Sequence, residues 1–354
     1  MEYRELGNAG FQVSRLGLGT LTWGRDVDPP LARKLLRAFV SAGGNLLDTA
    51  PAYGAGMAER IIGSLMRHDV PREQLIIATK GGLGLDGNQA VTLSRQALIN
   101  DLAGSLKRLG TDYVDIWQLH TWGEGLDEAL GALDYAAARG MARAVGVCNY
   151  VGWQLGTAAT KQLLKNTKTP LVEPGITLGD TRPALASLGI TPSDTGAALG
   201  NTGSAPLQVA SSEYSLLARG AELEVLPACR YHGLAFFAWA PLGRGVLAGR
   251  YQGGATPPDS RAASPGFEWY VEPYRNSKSA AVVDALAHAA TGLGLELPQV
   301  PLLWVRDAPG VTAVLLGART VAGLQPYLAA ESTTLPPEII TALDDITGGP
   351  NQLR

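Results

Sequence analysis

Four side chains with acid–base chemistry follow short apolar runs of the sequence. Asp48 ends the run NLL, Lys80 follows LIIAT and His120 follows VDIWQL, while Tyr53 lies in the connection just after Asp48. A phenol has an ordinary pKa of about 10, and a nearby ammonium lowers that pKa by favouring the phenolate. Asp48 would hold Lys80 charged beside Tyr53, and His120 would donate a hydrogen bond to a carbonyl oxygen. Together the four residues predict proton transfer to a carbonyl group.

Each of these residues also has a structural interpretation. A tyrosine in a loop usually packs or lies on the surface, and an aspartate before a threonine usually caps a turn. A histidine that ends a buried strand is often a satisfied structural group. Lys80 is the exception, because a lysine gains nothing structurally at the end of an apolar run. The combination therefore favours a catalytic group over four unrelated residues.

Strand-like and helix-like patterns alternate along the chain. Between the strands, apolar residues recur at i, i+3, i+4 and i+7 in segments such as 30–43, 92–110 and 126–140, each ending at a glycine. Strands that are apolar on both faces are typical of a parallel sheet covered by helices. The pattern predicts an α/β fold of the (β/α)₈ TIM-barrel type, whose strands end at the rim that carries active sites. The expected strands are 15–19, 45–49, 75–79, 114–120, 143–147, 207–211, 234–239 and 311–317.

Two segments fall outside this alternation. The N-terminal YRELGNAGFQV, with a turn at Gly7 to Gly10, predicts a β-hairpin that precedes the barrel. Residues 166–205 are rich in Thr, Gly, Pro and Ser and show no helical period, and a connection of this length is unusual in a compact domain. We expect one barrel domain over 1–354 with a peripheral insertion at 166–205, away from the active-site face; its role, and a homo-oligomer, are left open.

Composition excludes several classes of function. The net charge is −3 and no Lys/Arg-rich stripe is present, so nucleic acid is not an expected partner. No N-terminal signal pattern and no apolar stretch of about 18 residues occurs, so we expect a soluble, cytoplasmic protein without a membrane partner. Cys148 and Cys229 lie in apolar surroundings, which predicts buried, reduced thiols and no metal site.

The segments around the four polar residues follow one another as they do in a known family. LLDTAPAYGAGMAERIIGSLM carries Asp48 and Tyr53, LIIATKGG carries Lys80, VDIWQLH carries His120, and GVCNY follows in the next strand. EYSLLAR, FFAWAPLGRGVLAGRY and LLGART come later in the chain. The sequence therefore resembles the aldo-keto reductase family over nearly its whole length apart from 166–205. The nearer likeness is to the branch that includes bacterial reductases and potassium-channel β-subunits.

The resemblance implies reversible hydride transfer from NADPH to an aldehyde or ketone, with Asp48, Tyr53, Lys80 and His120 as the tetrad and Tyr53 as the general acid. Asn149 would bind the nicotinamide carboxamide and Tyr214 would stack on the nicotinamide ring. Residues 241–245 would cover the pyrophosphate through backbone N–H groups. The implied cofactor-binding residues are Thr20, Asp48, Asn149, Tyr214, Trp239, Pro241, Leu242, Gly243, Arg244, Gly245, Arg250, Arg261, Gly317 and Arg319.

The resemblance leaves the nucleotide preference open. Arg250, Arg261 and Arg319 match basic positions near the adenosine, where a guanidinium would pair with the 2′-phosphate of NADPH. Other positions depart from the family's usual polar residues and would weaken several hydrogen bonds of about 0.5–1.5 kcal/mol each, so NADH is an alternative. These departures are Ser211, Cys148, Ala240, Gly323, Pro326 and Tyr327.

Aromatic residues are expected at the substrate rim. Trp23, Trp122 and Trp269, with Phe267 and Tyr270 as further candidates, would form walls without a fixed charge, which suits an apolar or aryl carbonyl compound. Sugar-derived ketones are not excluded. Two other functions are alternatives: a cofactor-binding regulatory subunit with vestigial turnover, and an acid–base isomerase on the same barrel.

Overall fold

Eight parallel strands close into a barrel in the computed structural model, which describes residues 1–85, 91–166, 205–264 and 266–349. The closed order is β10-β3-β4-β5-β6-β7-β8-β9. All eight strands fall where the sequence predicts them, so the (β/α)₈ barrel is confirmed. The strands are β3 (Leu16–Gly19), β4 (Leu46–Asp48), β5 (Ile76–Gly81), β6 (Val114–Leu119), β7 (Ala142–Cys148), β8 (Val209–Glu213), β9 (Ala235–Trp239) and β10 (Ala313–Leu316).

Alternate residues of each strand belong to two separate apolar clusters. Leu46, Ala78 and Ile116 belong to the cluster that fills the barrel, whereas Leu47 and Ile77 belong to the larger cluster between strands and helices. Successive side chains of a strand point to opposite faces. Counting by two from the inner residues therefore places Asp48, Lys80 and His120 on the inner side of the barrel, near the carboxyl ends of their strands.

The predicted N-terminal hairpin is confirmed. Strand β1 (Tyr3–Glu5) pairs antiparallel with β2 (Gln12–Ser14), and Leu6 and Val13 are buried in the same cluster as the inner barrel residues. The hairpin therefore covers the amino-terminal end of the barrel, opposite the rim that carries the site.

The helices begin and end at recognisable capping residues. Asp28 accepts a hydrogen bond from the backbone N–H of Leu31 at the start of α1, which satisfies a free donor of the first turn. Gly110 closes α3 in the left-handed conformation that glycine adopts without strain. The helices are α1 (Pro29–Ser41), α2 (Met57–His68), α3 (Arg95–Leu109), α4 (Leu126–Ala138), α5 (Gly152–Asn166), α6 (Val225–His232), α7 (Glu268–Val271), α8 (Ser277–Leu293), α9 (Gln299–Arg306), α10 (Val321–Ala329) and α11 (Pro337–Thr347).

The expected insertion at 166–205 lies outside the described residues except at its two ends. Cys148 and Cys229 are buried free thiols, as predicted. None of the helices in the described ranges is both long and apolar enough to cross a membrane.

Candidate active site

Asp48, Lys80 and Tyr53 meet at the carboxyl rim of the barrel. The Lys80 ammonium donates to the Asp48 carboxylate with Nζ and Oδ1 2.7 Å apart, to the Thr49 carbonyl at 3.0 Å and to the Tyr53 hydroxyl at 3.3 Å. Asp48 and Lys80 are buried. Because β4 and β5 are paired in the barrel, the ends of the two strands bring an acid, a base and a phenol into one hydrogen-bonded group.

A tight turn after β4 presents Tyr53 to this group. Residues Tyr53–Gly56 form a kinked turn whose backbone is non-helical, with φ values of 56°, 52° and 82° at Gly54, Ala55 and Gly56. A positive φ is strained for alanine, and such strain is found mostly at functional sites. The turn reverses the chain direction shortly after β4, so the phenol of Tyr53 lies beside Lys80.

Burial and nearby charges determine the protonation states of Lys80 and Tyr53. Burial by itself lowers the pKa of Lys80, but the Asp48 carboxylate, helped by Tyr53 and Cys148, raises that pKa overall, so Lys80 is charged. Tyr53 is partly exposed as a residue, but desolvation of its hydroxyl raises its pKa, and Lys80 only partly opposes this rise. The Lys80 ammonium lowers the pKa of Tyr53 as expected, but desolvation exceeds this effect, so the pKa is raised overall. Tyr53 is a protonated phenol at neutral pH.

His120 is a neutral imidazole on the other side of Tyr53. The two rings are 6.1 Å apart between centroids at 80°. Burial, helped by the Lys80 charge, lowers the pKa of His120 to about 3. Its Nδ1 is buried and has no hydrogen-bond partner among the residues that the structure describes. A neutral imidazole carries one N–H donor, so His120 can donate a hydrogen bond and does not compete with Tyr53 as a cationic acid.

A polar bridge crosses the mouth from β6 to β9. The side-chain amide of Asn149 donates to the His120 carbonyl at 3.0 Å and accepts from the Trp239 indole at 3.1 Å. Asn149 has φ 60°, a conformation that asparagine tolerates better than most residues. Each end of its amide retains one further hydrogen-bonding position. The bridge therefore positions an aromatic ring and an amide beside the proton donor.

The comparison with family models agrees with this geometry. The Aldo/keto reductase family model matches residues 15–172 and 188–347. The chain belongs to the aldo/keto reductase family. The sequence resemblance is thereby confirmed, and the protein is an NAD(P)H-dependent oxidoreductase. The break in the match falls within the segment 166–205 that the sequence analysis set apart.

Similar curated proteins cover most of the chain. An uncharacterized oxidoreductase, YrpG, of Bacillus subtilis is 31% identical and is matched over 99% of this chain and 97% of its own length. A probable voltage-gated potassium channel subunit beta of Oryza sativa is 31% identical over 90% of this chain and 87% of its own. A protein of the same description from Arabidopsis thaliana is 29% identical over 93% and 91%.

The position of Tyr214 does not suit the stacking role that the resemblance implies. The residue is 2% exposed, its ring packs on Phe236 and Trp304, and its hydroxyl donates to Glu222. It lies in the layer between strands and helices, so neither ring face is open to a nicotinamide. Trp239, which packs against the inner cluster and bonds to Asn149, is the aromatic ring at the mouth.

The segment 241–245 is engaged largely with the protein itself. Its Arg244 has φ 59°, donates twice to the Glu213 carboxylate, at 2.8 and 2.5 Å, and once to the Tyr270 carbonyl at 2.5 Å. The amides of Gly243 and Gly245 donate to the carbonyls of residues 240 and 242. These contacts differ from the expected donation to a pyrophosphate, because the turn satisfies its own amides. Pro241 and Leu242 begin this turn.

Other implied cofactor residues lie around the rim. Thr20 is fully buried, and its hydroxyl donates to the Asp48 carbonyl at 2.9 Å, so it fastens β3 to β4 instead of lining an open channel. Gly317 directly follows β10 and lies beside the Arg261 guanidinium; a Cβ there would lie 3.4 Å from it. Arg250 and Arg319 both contact Asp259, through its carboxylate and its carbonyl respectively.

The three tryptophans of the expected substrate rim differ in exposure. Trp23 is fully buried in the outer cluster, so it supports the loop after β3 and does not form a pocket wall. Trp122 is half-buried and makes edge contacts with Tyr150 and Trp153 at 5.2 and 5.1 Å. Trp269 is 61% exposed and donates to the carbonyl of residue 266.

Sequence reasoning missed several residues of this rim. Gln118 donates to the Ser211 hydroxyl at 2.7 Å, and its own Oε1 is buried without a partner in the described ranges. Trp153, 61% exposed, continues the Trp122 surface. Counting by two along β6 and β8 would have placed Gln118 and Glu213 inside the barrel and Tyr214 outside. No local signal identifies Asp259 as an arginine partner.

Proposed function

We propose that the protein reduces an aldehyde or ketone with NADPH, with Tyr53 as the proton donor. The observation that carries this proposal is the hydrogen-bonded group of Asp48, Lys80 and Tyr53 beside a neutral His120. A buried ion pair is costly unless it is well satisfied, and this one lies where active sites occur in such barrels.

The residues at the mouth suit a nicotinamide nucleotide. Trp239 offers an aromatic face, and Asn149 offers free hydrogen-bonding positions at both ends of its amide. The Gln118 Oε1 is a buried acceptor that no donor of the described residues reaches. Arg261 forms no ion pair with a carboxylate in the described part of the chain. Asn149 and Gln118 would therefore suit the carboxamide of the cofactor, and Arg261, on the same rim, would suit its phosphates.

The geometry supports the following roles for the four residues of the tetrad. When bound, the reduced nicotinamide supplies the hydride to the carbonyl carbon. His120 donates a hydrogen bond that orients the carbonyl oxygen, and Tyr53 gives that oxygen its proton. After the proton transfer Tyr53 is a phenolate. Lys80, held charged by Asp48, stabilises this anion, because its ammonium lies 3.3 Å from the Tyr53 oxygen.

The rim favours an apolar carbonyl substrate. Trp122 packs edge-on against the exposed Trp153 and rests on the buried Tyr150 after β6 and β7, and Trp269 lies exposed in the loop after β9. Large aromatic surfaces left open to water mark binding sites more often than structural ones. An aryl aldehyde is therefore the substrate with which to begin.

The direct test is reduction of 4-nitrobenzaldehyde, followed by loss of NADPH absorbance. We expect turnover by the wild type and a fall in kcat of at least about 10²-fold in Tyr53→Phe, because general acid catalysis contributes on the order of 10²–10⁴-fold. NADPH affinity, measured by fluorescence quenching, should change little. Tyr231→Phe, an exposed tyrosine on α6, is the control and should keep full activity.

Two results would contradict this proposal. If NADPH does not bind, the reductase function is wrong; if Tyr53→Phe turns over like the wild type, the assignment of the acid is wrong. The same assay separates the alternatives. A regulatory subunit would bind NADPH without turnover, and an isomerase would act without the nucleotide.

A further inference from the structure

Four arginines gather where three neighbouring loops meet. Arg25 lies after β3, Arg250 and Arg261 lie after β9, and Arg319 lies after β10. Because β10 pairs with both β3 and β9, these loops share one sector of the rim. We call these residues the arginine cluster. Its charge would suit a phosphate dianion, which guanidinium groups bind in a bidentate manner.

Two carboxylates already occupy most of the arginine cluster. Asp26 pairs with Arg25 at 2.6 Å and with Arg319 at 3.3 Å. Asp259 forms an ion pair with Arg250, and its backbone carbonyl accepts from Arg319 at 2.9 Å. Four positive and two negative charges leave a net charge of about +2, so an added anion must compete with the two carboxylates.

Arg261 is the cluster member left for an external anion. Unlike Arg25, Arg250 and Arg319, it forms no ion pair with a carboxylate among residues 1–85, 91–166, 205–264 and 266–349. Its guanidinium lies over the Tyr270 ring at 5.6 Å and close to Gly317. Burial lowers its pKa, and the more distant Asp26 carboxylate offsets only part of that effect.

Asp259 differs from Asp26 in its exposure. Its side chain is 74% exposed, compared with 17% for Asp26, and in the described part of the chain its carboxylate pairs with the exposed Arg250. The hydrogen bond and charge of Arg250, with a smaller contribution from Arg319, keep the pKa of Asp259 low. Asp259 therefore presents a charged carboxylate to solvent where Arg250 and Arg319 meet.

We propose that Asp259 sets the nucleotide preference of this site by opposing the 2′-phosphate of NADPH, so that NADH and NADPH bind with comparable affinity. The proposal rests on the function proposed above. A 2′-phosphate has to displace Asp259 from Arg250 and then lies near its charge. The 2′-hydroxyl of NADH instead can donate a hydrogen bond to such a carboxylate, as acidic residues do in other NAD sites. Asp259 is thus a specificity-determining residue.

The test compares nucleotide affinities in Asp259→Asn, which keeps the shape of the side chain and removes its charge. We expect the Kd for NADPH to fall by about tenfold, the effect of one nearby charge at a solvated site, while the Kd for NADH stays within about twofold. Adenosine 2′,5′-bisphosphate and 5′-AMP should repeat the same difference, because they differ only in the 2′-phosphate. Titration by tryptophan fluorescence and by calorimetry gives each Kd without any turnover.

Two control variants isolate the charge at this position. Asp259→Glu keeps the charge and should keep the wild-type ratio of the two Kd values. Asp127→Asn removes an equally exposed carboxylate, paired with Lys161 on the far side of the barrel, and should leave the ratio unchanged. Raising the salt concentration should shrink the difference between wild type and Asp259→Asn, because exposed charges are screened.

The possible failures are distinguishable. If both nucleotides bind and Asp259→Asn leaves their ratio unchanged, or weakens NADPH, the role of Asp259 is overturned while the proposed function stands. If neither nucleotide binds to wild type or variant, the proposed function is overturned, and this proposal with it.

Discussion

The buried His120 makes the stability of the folded protein depend on pH. Its pKa is lowered to about 3 in the folded protein, compared with about 6.5 for an exposed histidine. Between these values the unfolded chain binds a proton that the folded chain excludes, so this contribution to stability is lost as the pH falls from about 6.5 toward 3. Each unit of difference corresponds to about 1.4 kcal/mol.

This dependence predicts how His120→Asn behaves. Asparagine does not titrate, so the free energy of unfolding of the wild type minus that of the variant should fall by about 1 kcal/mol or more between pH 7 and pH 5, measured by urea denaturation. Other titrating groups are common to both proteins and cancel in the difference. A difference that stays constant over this range would show that His120 titrates normally in the folded protein.

The N-terminal hairpin closes the barrel end through a contact that requires glycine. Gly7 has φ 49°, and a Cβ there would lie 2.7 Å from the Gly233 carbonyl oxygen and 3.0 Å from that of Gln208. Gly10, in the same turn, has φ 75° but no atom within 4 Å of the equivalent position. Alanine substitutions at these two positions would therefore distinguish the cost of backbone strain from the cost of steric contact with the barrel.

We expect Gly7→Ala to destabilise the protein more than Gly10→Ala. Both pay the cost of about 1–2 kcal/mol for a left-handed alanine, but only Gly7→Ala must also move the hairpin away from the segments before β8 and β9, which adds about 1–3 kcal/mol. Chemical denaturation of both variants measures the difference. Equal losses would mean that the hairpin moves freely relative to the barrel.

The two-residue period of the strands explains which site residues could be identified locally. Asp48, Lys80 and His120 continue the inner-facing positions of β4, β5 and β6, so their convergence follows from parity and strand order. Tyr214 has the opposite parity to the inner-facing Val209 of β8, and it accordingly lies in the outer layer. The motif resemblance assigned it a role that its strand position does not permit.

At the scale of the whole molecule, the rim should be stabilised by the nucleotide. A ligand that binds only the folded state at 100 times its Kd adds about 2.7 kcal/mol. We therefore expect saturating NADPH to raise the Tm by several degrees. At the same concentration Trp239→Ala should show a smaller rise, because it lacks the ring at the mouth.

The matched control for this measurement is Trp153→Ala, which removes an exposed tryptophan of the substrate rim and should keep the wild-type rise in Tm. An equal rise in Trp239→Ala would exclude Trp239 from the nucleotide site. No rise in any of the three proteins would contradict nucleotide binding itself.

The sequence by itself determined the barrel, its terminal hairpin and the meeting of Asp48, Tyr53, Lys80 and His120. These depend on local apolar periods, on helix-ending glycines and on the rule that parallel strands end at one rim. Only the tertiary structure decided that Trp23 and Tyr214 are buried, that Trp239 lies at the mouth, and which carboxylates the rim arginines meet. Those outcomes depend on contacts between loops distant in sequence, such as Arg319 with Asp26 and Asp259, which exist only once the barrel has closed β3, β9 and β10 together.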